Sequence, residues 1–404
     1  MNDVPIVLHV GAPKAGSSAL QHDLTWNPRR PMPSGPGVGC EYVAIDALGR
    51  LLRGDDLRAF AVLFAARYAA SAAIEDIVGL PAERLAGATA GLAALRAAGI
   101  VPLLSYELWL HAEREAVHRF TAALSGPIHV VAYVRDPVSW LRSLYWQRRR
   151  AEPLPLSEWI AEKGALCCWD RFVAAWRTAP NVARVFVRLA DDSVPADFAR
   201  TVGFAPSPVD VRHNAGMPGE FARFVERHAI SPELSVSEAK FAWSRWTAAA
   251  GVEGPFAPPP ALFGPAELRS IVERTAAANA ALLAHCDEEV RSRIVGDARW
   301  WSSDPEVHGG AAPGAAISAP VEESDRLLDA GLRALVAADA AWRAEERARG
   351  LAEAGRDAEA AQRVALEAAL AAAREEIERL SAPAAPLPRQ GVARILSRLW
   401  RRAA

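Results

Sequence analysis

The sequence predicts an α/β fold of three layers, with a central parallel sheet between two sets of helices. Short apolar runs rich in β-branched residues at 6–10, 100–105, 127–134 and 182–189 read as buried strands. Between them lie stretches with apolar residues at helical spacing, among them 82–98. The first run also breaks at once into Gly11-Ala12-Pro13-Lys14-Ala15-Gly16-Ser17-Ser18, a Gly/Pro/Ser loop that opens a helix.

That loop is laid out as a phosphate cradle. Gly11 and Gly16 let the backbone turn sharply and approach a ligand, and the new helix aims unpaired N–H groups and its positive dipole end at an anion. Ser17 and Ser18 add hydroxyl donors, and Lys14 adds a mobile charge. The nucleotide-binding P-loop, Gly-x4-Gly-Lys-Ser/Thr, has the same glycine spacing, but here Ser17 takes the lysine's place and the lysine sits back at Lys14. The stretch resembles the 5′-phosphosulfate loop of PAPS-dependent sulfotransferases, where a Pro-Lys-x-Gly-Ser/Thr-Ser/Thr core follows the first strand. Taken alone, the loop leaves other phosphate binders open.

The run 127–134 bears on that choice, because it ends in Arg135-Asp136-Pro137 ahead of a helical stretch at 138–147. Proline in the first turn is a helix start signal. The sulfotransferase family places an Arg at this strand end and a Ser eight residues later, and together they hold the 3′-phosphate of the cofactor; Arg135 and Ser143 match that spacing. A guanidinium fork grips phosphate in two-point contacts, and a hydroxyl in the next helix closes on the same group. The resemblance, to bacterial carbohydrate-sulfotransferase-like members, implies the P-loop-NTPase-like sulfotransferase fold. It also implies PAPS (3′-phosphoadenosine 5′-phosphosulfate) as sulfuryl donor, no metal, and a glycan, glycolipid precursor or other hydroxyl- or amine-bearing acceptor. Residues 11–18, Arg135 and Ser143 then bind the cofactor.

Of 404 residues, 51% are hydrophobic, enough to bury a large core. Lys plus Arg number 46 against 48 Asp plus Glu, so nothing points to nucleic acid and any basic site is local. The N-terminus lacks a basic leader and no stretch reaches about 20 uninterrupted apolar residues, which implies a cytoplasmic protein. Cys40, Cys167, Cys168 and Cys286 show no metal spacing and read as free thiols.

In chain order, the Pro/Gly-rich stretch 27–39 reads as loop, and 56–73 and 82–98 read as covering helices, the second capped by Gly99. The strand at 100–105 ends in Tyr106-Glu107, and groups at the carboxyl ends of strands face the ligand crevice of an α/β sheet. Glu107 then shares a mouth with Lys14 and Arg135. Three readings of Glu107 stand: a base for the acceptor's proton, as some sulfotransferases use; a cap or salt-bridge partner of the next helix; and the Mg²⁺-holding acid of an NTPase. His9 is either an alternative base or a strand-end histidine bonded to backbone. His111 and His118, seven apart, are placed on one helix face as structural residues.

Arg148-Arg149-Arg150 suits a solvated helix C-terminus or guidance of an anionic acceptor. The stretch 157–175 reads as a helix, with Trp159, Trp169 and Trp176 as packing residues. Strand 182–189, the acidic turn Asp191-Asp192 and a helix at 195–202 ending in Gly203-Phe204 extend the resemblance to about residue 215. Arg212, in an Arg-x-Asn similar to that of bacterial members, is a further cofactor contact the resemblance implies. Helices are expected at 220–229 and 265–284, with Trp243 and Trp246 lending the intervening stretch aromatic character.

The domain layout follows: a sulfotransferase domain at 1–305, a flexible linker at 306–320, a long helix and possible coiled coil at 321–381, and a Pro-rich hinge with a basic amphipathic tail at 382–404. The helix is a candidate for homo-oligomer formation, and the tail for peripheral contact with the inner face of the membrane. The resemblance assigns Glu107 and Lys14 to catalysis, the first as base and the second on the leaving oxygen. The alternatives are a P-loop kinase or NTPase using ATP-Mg, and a non-catalytic nucleotide-binding scaffold acting through its helical extension.

Overall fold

β1 (Ile6–Val10) is buried along its whole length, as a parallel strand covered on both faces must be. In the computed structural model, which describes residues 4–33, 38–64, 68–148, 154–190, 193–206 and 262–309, the chain continues through α1 (Ser17–Trp26), β2 (Arg29–Pro31), β3 (Gly39–Tyr42), β4 (Ala44–Ile45), β5 (Leu51–Leu52), α2 (Gly54–Val62), α3 (Ile74–Val78) and α4 (Ala82–Ala97). Next come β6 (Ile100–Tyr106), α5 (Arg114–Ala123), β7 (Ile128–Val134), α6 (Pro137–Arg148), α7 (Leu156–Lys163), α8 (Trp169–Arg177), β8 (Val182–Leu189) and α9 (Val194–Val202). After them stand α10 (Pro265–Leu282) and α11 (Glu288–Gly296).

The sheet has the order β2-β3-β6-β1-β7-β8 and is parallel except for β2. It is flanked by helices, so the architecture is the α/β arrangement with a mostly parallel central sheet that the apolar runs predict. The register places His9 opposite Ser105 of β6 and Val131 of β7, which brings the carboxyl ends of the three central strands to one edge. Trp109, Trp140, Trp159, Trp169 and Trp176 are among the largest fully buried side chains. No helix among the described residues is long and apolar enough to cross a membrane.

Four sequence expectations are corrected. Part of 27–39 is strand: β2 pairs antiparallel with β3, whose charged Glu41 hid it from a hydrophobic pattern. Pro31 is tolerated because β2 is an edge. The expected helix 56–73 ends early, since α2 stops at Val62 and 68–73 is not helical. There, Ala69 N–H donates to Thr25 Oγ1, Ser71 N–H to the Ser105 carbonyl and Ala72 N–H to that of Ile45. Tertiary acceptors thereby override the alanine-rich helical propensity. His111 and His118 share no helix, the first lying in a 3₁₀ turn ahead of α5. Finally, 157–175 is two helices, broken by a 3₁₀ turn at Gly164–Cys167.

Arg212, the segments 220–229, 321–381 and 382–404, and Trp243 and Trp246 lie outside the described residues. The described part continues past 305 to Gly309, with Arg142 of α6 donating to the His308 carbonyl. Cys40, Cys167, Cys168 and Cys286 are free thiols, all but Cys168 buried.

β7, β8 and α9 are locked together by an ionic cluster. Arg188 donates to both Asp197 oxygens, at 3.0 and 2.7 Å, and Tyr133 and Arg200 donate to the same carboxylate. Burial pushes this carboxyl up, but the hydrogen bonds from Arg188, Tyr133 and Arg200 outweigh it and bring its pKa to about 2. The ionised carboxylate therefore contributes stability that is complete above the unfolded value and is lost as pH falls towards 2. Asp197→Asn, which leaves the Arg188 charge only the longer contacts to Asp287 and Glu289 at 3.4 and 3.7 Å, is expected to cost about 2 kcal/mol in urea unfolding at neutral pH. It should also remove part of the stability loss seen between pH 4 and 2 in the wild type.

Candidate active site

The loop after β1 owes its shape to two residues in the left-handed region. Ala15 N–H donates to the Ala12 carbonyl at 3.2 Å, closing a turn with Pro13 and Lys14 as its central residues. Lys14 has φ of 64°, as the third position of a type II turn demands. For a lysine this conformation costs on the order of 1 kcal/mol, so the surrounding structure imposes it. Gly16 has φ of 83°, and a Cβ there would lie 2.5 Å from a Val194 methyl of α9. Only glycine fits. The first amides of α1 have no intrahelical acceptor and open onto the loop.

Beneath the loop lies a layer of buried polar groups. His9 Nδ1 is 2.7 Å from Ser105 Oγ, and Gln21 Nε2 donates to the same oxygen at 3.0 Å. His9 Nε2, Ser17 Oγ and Gln21 Oε1 are buried with no hydrogen-bond partner among the described residues. Ser17 Oγ and the His9 ring also crowd the hydrogen side of Gly11. Burial lowers the His9 pKa to about 3, so the imidazole is neutral at physiological pH. Ser18 is half-buried, with its hydroxyl 3.3 Å from that of Tyr68.

Lys14 and Glu107, both half-buried, face one another electrostatically across the ends of β1 and β6. Burial lowers the Lys14 pKa, and the Glu107 charge opposes that fall. Arg135 is half-buried at the end of β7, and no carboxylate among the described residues pairs with its guanidinium. Ser143 is half-buried on α6. Asp136 caps that helix, its Oδ1 accepting from Ser139 N–H at 2.8 Å.

The Trp140 indole of α6 donates to the Pro13 carbonyl, and the Trp169 indole of α8 donates to the Arg135 carbonyl. These bonds join the glycine loop to the Arg135 segment, which is why residues far apart in sequence share one edge. The structure thus brings together 11–18, Glu107 and Arg135, with Ser143 on the adjoining helix. Tyr68 was not singled out by sequence reading, and an isolated tyrosine in an alanine-rich stretch carries no signal. Among the described residues no group of His, Cys, Asp and Glu could hold a metal ion.

No family model and no curated protein matches the chain. Among solved structures, it is similar to a sulfotransferase domain from the curacin biosynthetic pathway, at 12% identity, with a TM-score of 0.33. That match covers 67% of this chain and 97% of the other. A likeness this distant decides nothing about activity, which has to be argued from the chain's own residues.

A methyl group at Gly11 would sit 2.1 Å from Ser17 Oγ and 3.0 Å from the His9 ring. Gly11→Ala is therefore expected to displace Ser17 and the His9 ring from their packing beneath the loop. The loss of stability, read by thermal unfolding, should stay within about 1–3 kcal/mol.

Proposed function

We propose that the chain is a sulfotransferase that moves the sulfuryl group of PAPS to a hydroxyl or amine of an acceptor. The observation that carries this is the Lys14–Glu107 pair at the mouth of a glycine loop whose Ser17 hydroxyl is buried and unpartnered. A carboxylate and a cation at adjacent strand ends suit proton removal on one side and neutralisation of a leaving oxygen on the other.

The residues present fit the cofactor. Ser17, Ser18 and the loop amides hold the 5′-phosphate, with the orphaned Ser17 hydroxyl as a donor awaiting an acceptor. Arg135 and Ser143 hold the 3′-phosphate, and the resemblance adds Arg212. PAPS supplies a sulfuryl group already attached to a good leaving phosphate. Glu107 takes the proton of the acceptor hydroxyl as the acceptor oxygen bonds to sulfur. Lys14 offsets the charge left on the departing phosphate oxygen. His9 is less suited to the base's part, since burial lowers its pKa to about 3 and so makes it a poor proton acceptor, and its Nδ1 is engaged with Ser105.

The acceptor class, a glycan or glycolipid precursor, rests on the resemblance alone. The cytoplasmic site of action, membrane contact through 382–404 and self-association through 321–381 rest on sequence patterns alone.

The test is calorimetric titration with adenosine 3′,5′-bisphosphate and, separately, with ATP and Mg²⁺. Wild type should prefer the bisphosphate, and Arg135→Ala should weaken it by about tenfold or more, since charge-assisted phosphate bonds are worth roughly 1.5–3 kcal/mol. Preference for ATP with Mg²⁺ would overturn the reading in favour of a kinase or NTPase. With an acceptor in hand, Glu107→Gln should bind the bisphosphate normally and lose transfer.

A further inference from the structure

Tyr68 stands at the end of a segment held from several sides. Its neighbour Ala69 donates its N–H to Thr25 of α1 and accepts at its carbonyl from the Tyr42 hydroxyl. Ser71 N–H is bonded to the Ser105 carbonyl of β6, and the Trp109 indole donates to the Ala72 carbonyl. These bonds reach α1, β3, β6 and the turn after it, so the tyrosine's place is set by the same elements that carry the candidate site.

The phenol is half-buried, and its oxygen is 3.3 Å from Ser18 Oγ on the cofactor loop. It also lies within the field of Glu107. Burial raises its pKa and outweighs the hydrogen bond from Ser18, which lowers it, with Glu107 adding a smaller rise, so the phenol keeps its proton at working pH. Ser18 marks the phosphate end of the transfer path and Glu107 the acceptor end. A protonated phenol that touches Ser18 and feels the charge of Glu107 is placed to donate to a group passing from one to the other. Ser17, by contrast, sits under Gly11 beside His9.

We infer that the Tyr68 hydroxyl donates a hydrogen bond to the oxygens of the transferred sulfuryl group. This rests on the proposed transferase reading and deepens it. In the step, the acceptor O–H proton goes to Glu107 and the acceptor oxygen forms a bond to sulfur. The bond from sulfur to the phosphate oxygen breaks, and its electron pair stays on that oxygen beside Lys14. Tyr68 neither gains nor loses a proton; it stabilises charge on the moving group.

The experiment titrates full-length wild type and Tyr68→Phe with adenosine 3′,5′-bisphosphate and with PAPS, without acceptor. The two ligands differ only in the sulfuryl group, so their affinity ratio reads contacts to that group. Tyr68→Phe should keep bisphosphate affinity within about twofold and lose about tenfold for PAPS, the size of one hydrogen bond to a charged group. Unchanged PAPS affinity would overturn the inference and leave the transferase reading standing. Equal weakening of both ligands would overturn it too, placing the hydroxyl on the 5′-phosphate through Ser18. If wild type binds neither ligand, the transferase reading falls and this inference falls with it. Thermal unfolding of Tyr68→Phe should match wild type, as expected for a substitution that keeps the ring.

Discussion

The bond from the Trp140 indole to the Pro13 carbonyl is the constraint on which the candidate site rests. A loop carbonyl turned towards the interior cannot reach water, and leaving it unpaired would cost about as much as a lost hydrogen bond, on the order of 1–3 kcal/mol. A buried indole is a rigid donor anchored by a large apolar surface. Because Trp140 sits on the helix that starts beside Arg135 and carries Ser143, one bond ties both segments of the candidate site into a single body. Trp169 repeats the device on the Arg135 carbonyl. Further along, Trp176 holds the Trp109 carbonyl and Trp109 holds that of Ala72, which reaches the segment bearing Tyr68. The site is therefore preorganised by the core rather than by its own loops.

Two buried polar clusters stand behind that edge and do different work. The Arg188–Asp197–Tyr133 cluster is satisfied and fixes α9, whose Val194 packs on Gly16 and leaves the loop no room for a side chain there. The His9–Ser105–Gln21 layer, by contrast, has unpartnered atoms, among them His9 Nε2, which would lie 3.2 Å from a Cβ at Gly11. The Tyr133 ring lies 5.7 Å from the His9 ring and joins the two clusters. A neutral histidine in this place adds polarity beneath the glycine loop without adding a charge.

What was legible in the sequence follows from burial. β6, β1 and β7 lie in the middle of the sheet, and parallel strands covered on both faces are written as near-continuous apolar runs. α4 was equally clear, since Gly99 stands just after its end with φ of 75°. β3 was not, because it carries Glu41, a buried carboxylate made tolerable by Arg53 and Arg29. No local pattern announces a charge whose partners lie elsewhere in the chain. The stretch around Tyr68 was misread for a related reason: its N–H groups found acceptors on α1, β4 and β6 rather than within a helix of their own.

The sequence by itself determined the long apolar strands β1, β6, β7 and β8, the glycine loop and the positions of Lys14, Glu107 and Arg135 after the strand ends, because apolar runs and glycine turns are local consequences of local residues. Tertiary structure alone decided which of these ends meet. It set the sheet order, bound Pro13 to Trp140, buried Ser17 without a partner and brought Tyr68 beside Ser18. Each of those depends on a contact between residues dozens of positions or more apart, or on what a neighbouring element leaves uncovered, and neither is written in any short stretch of chain.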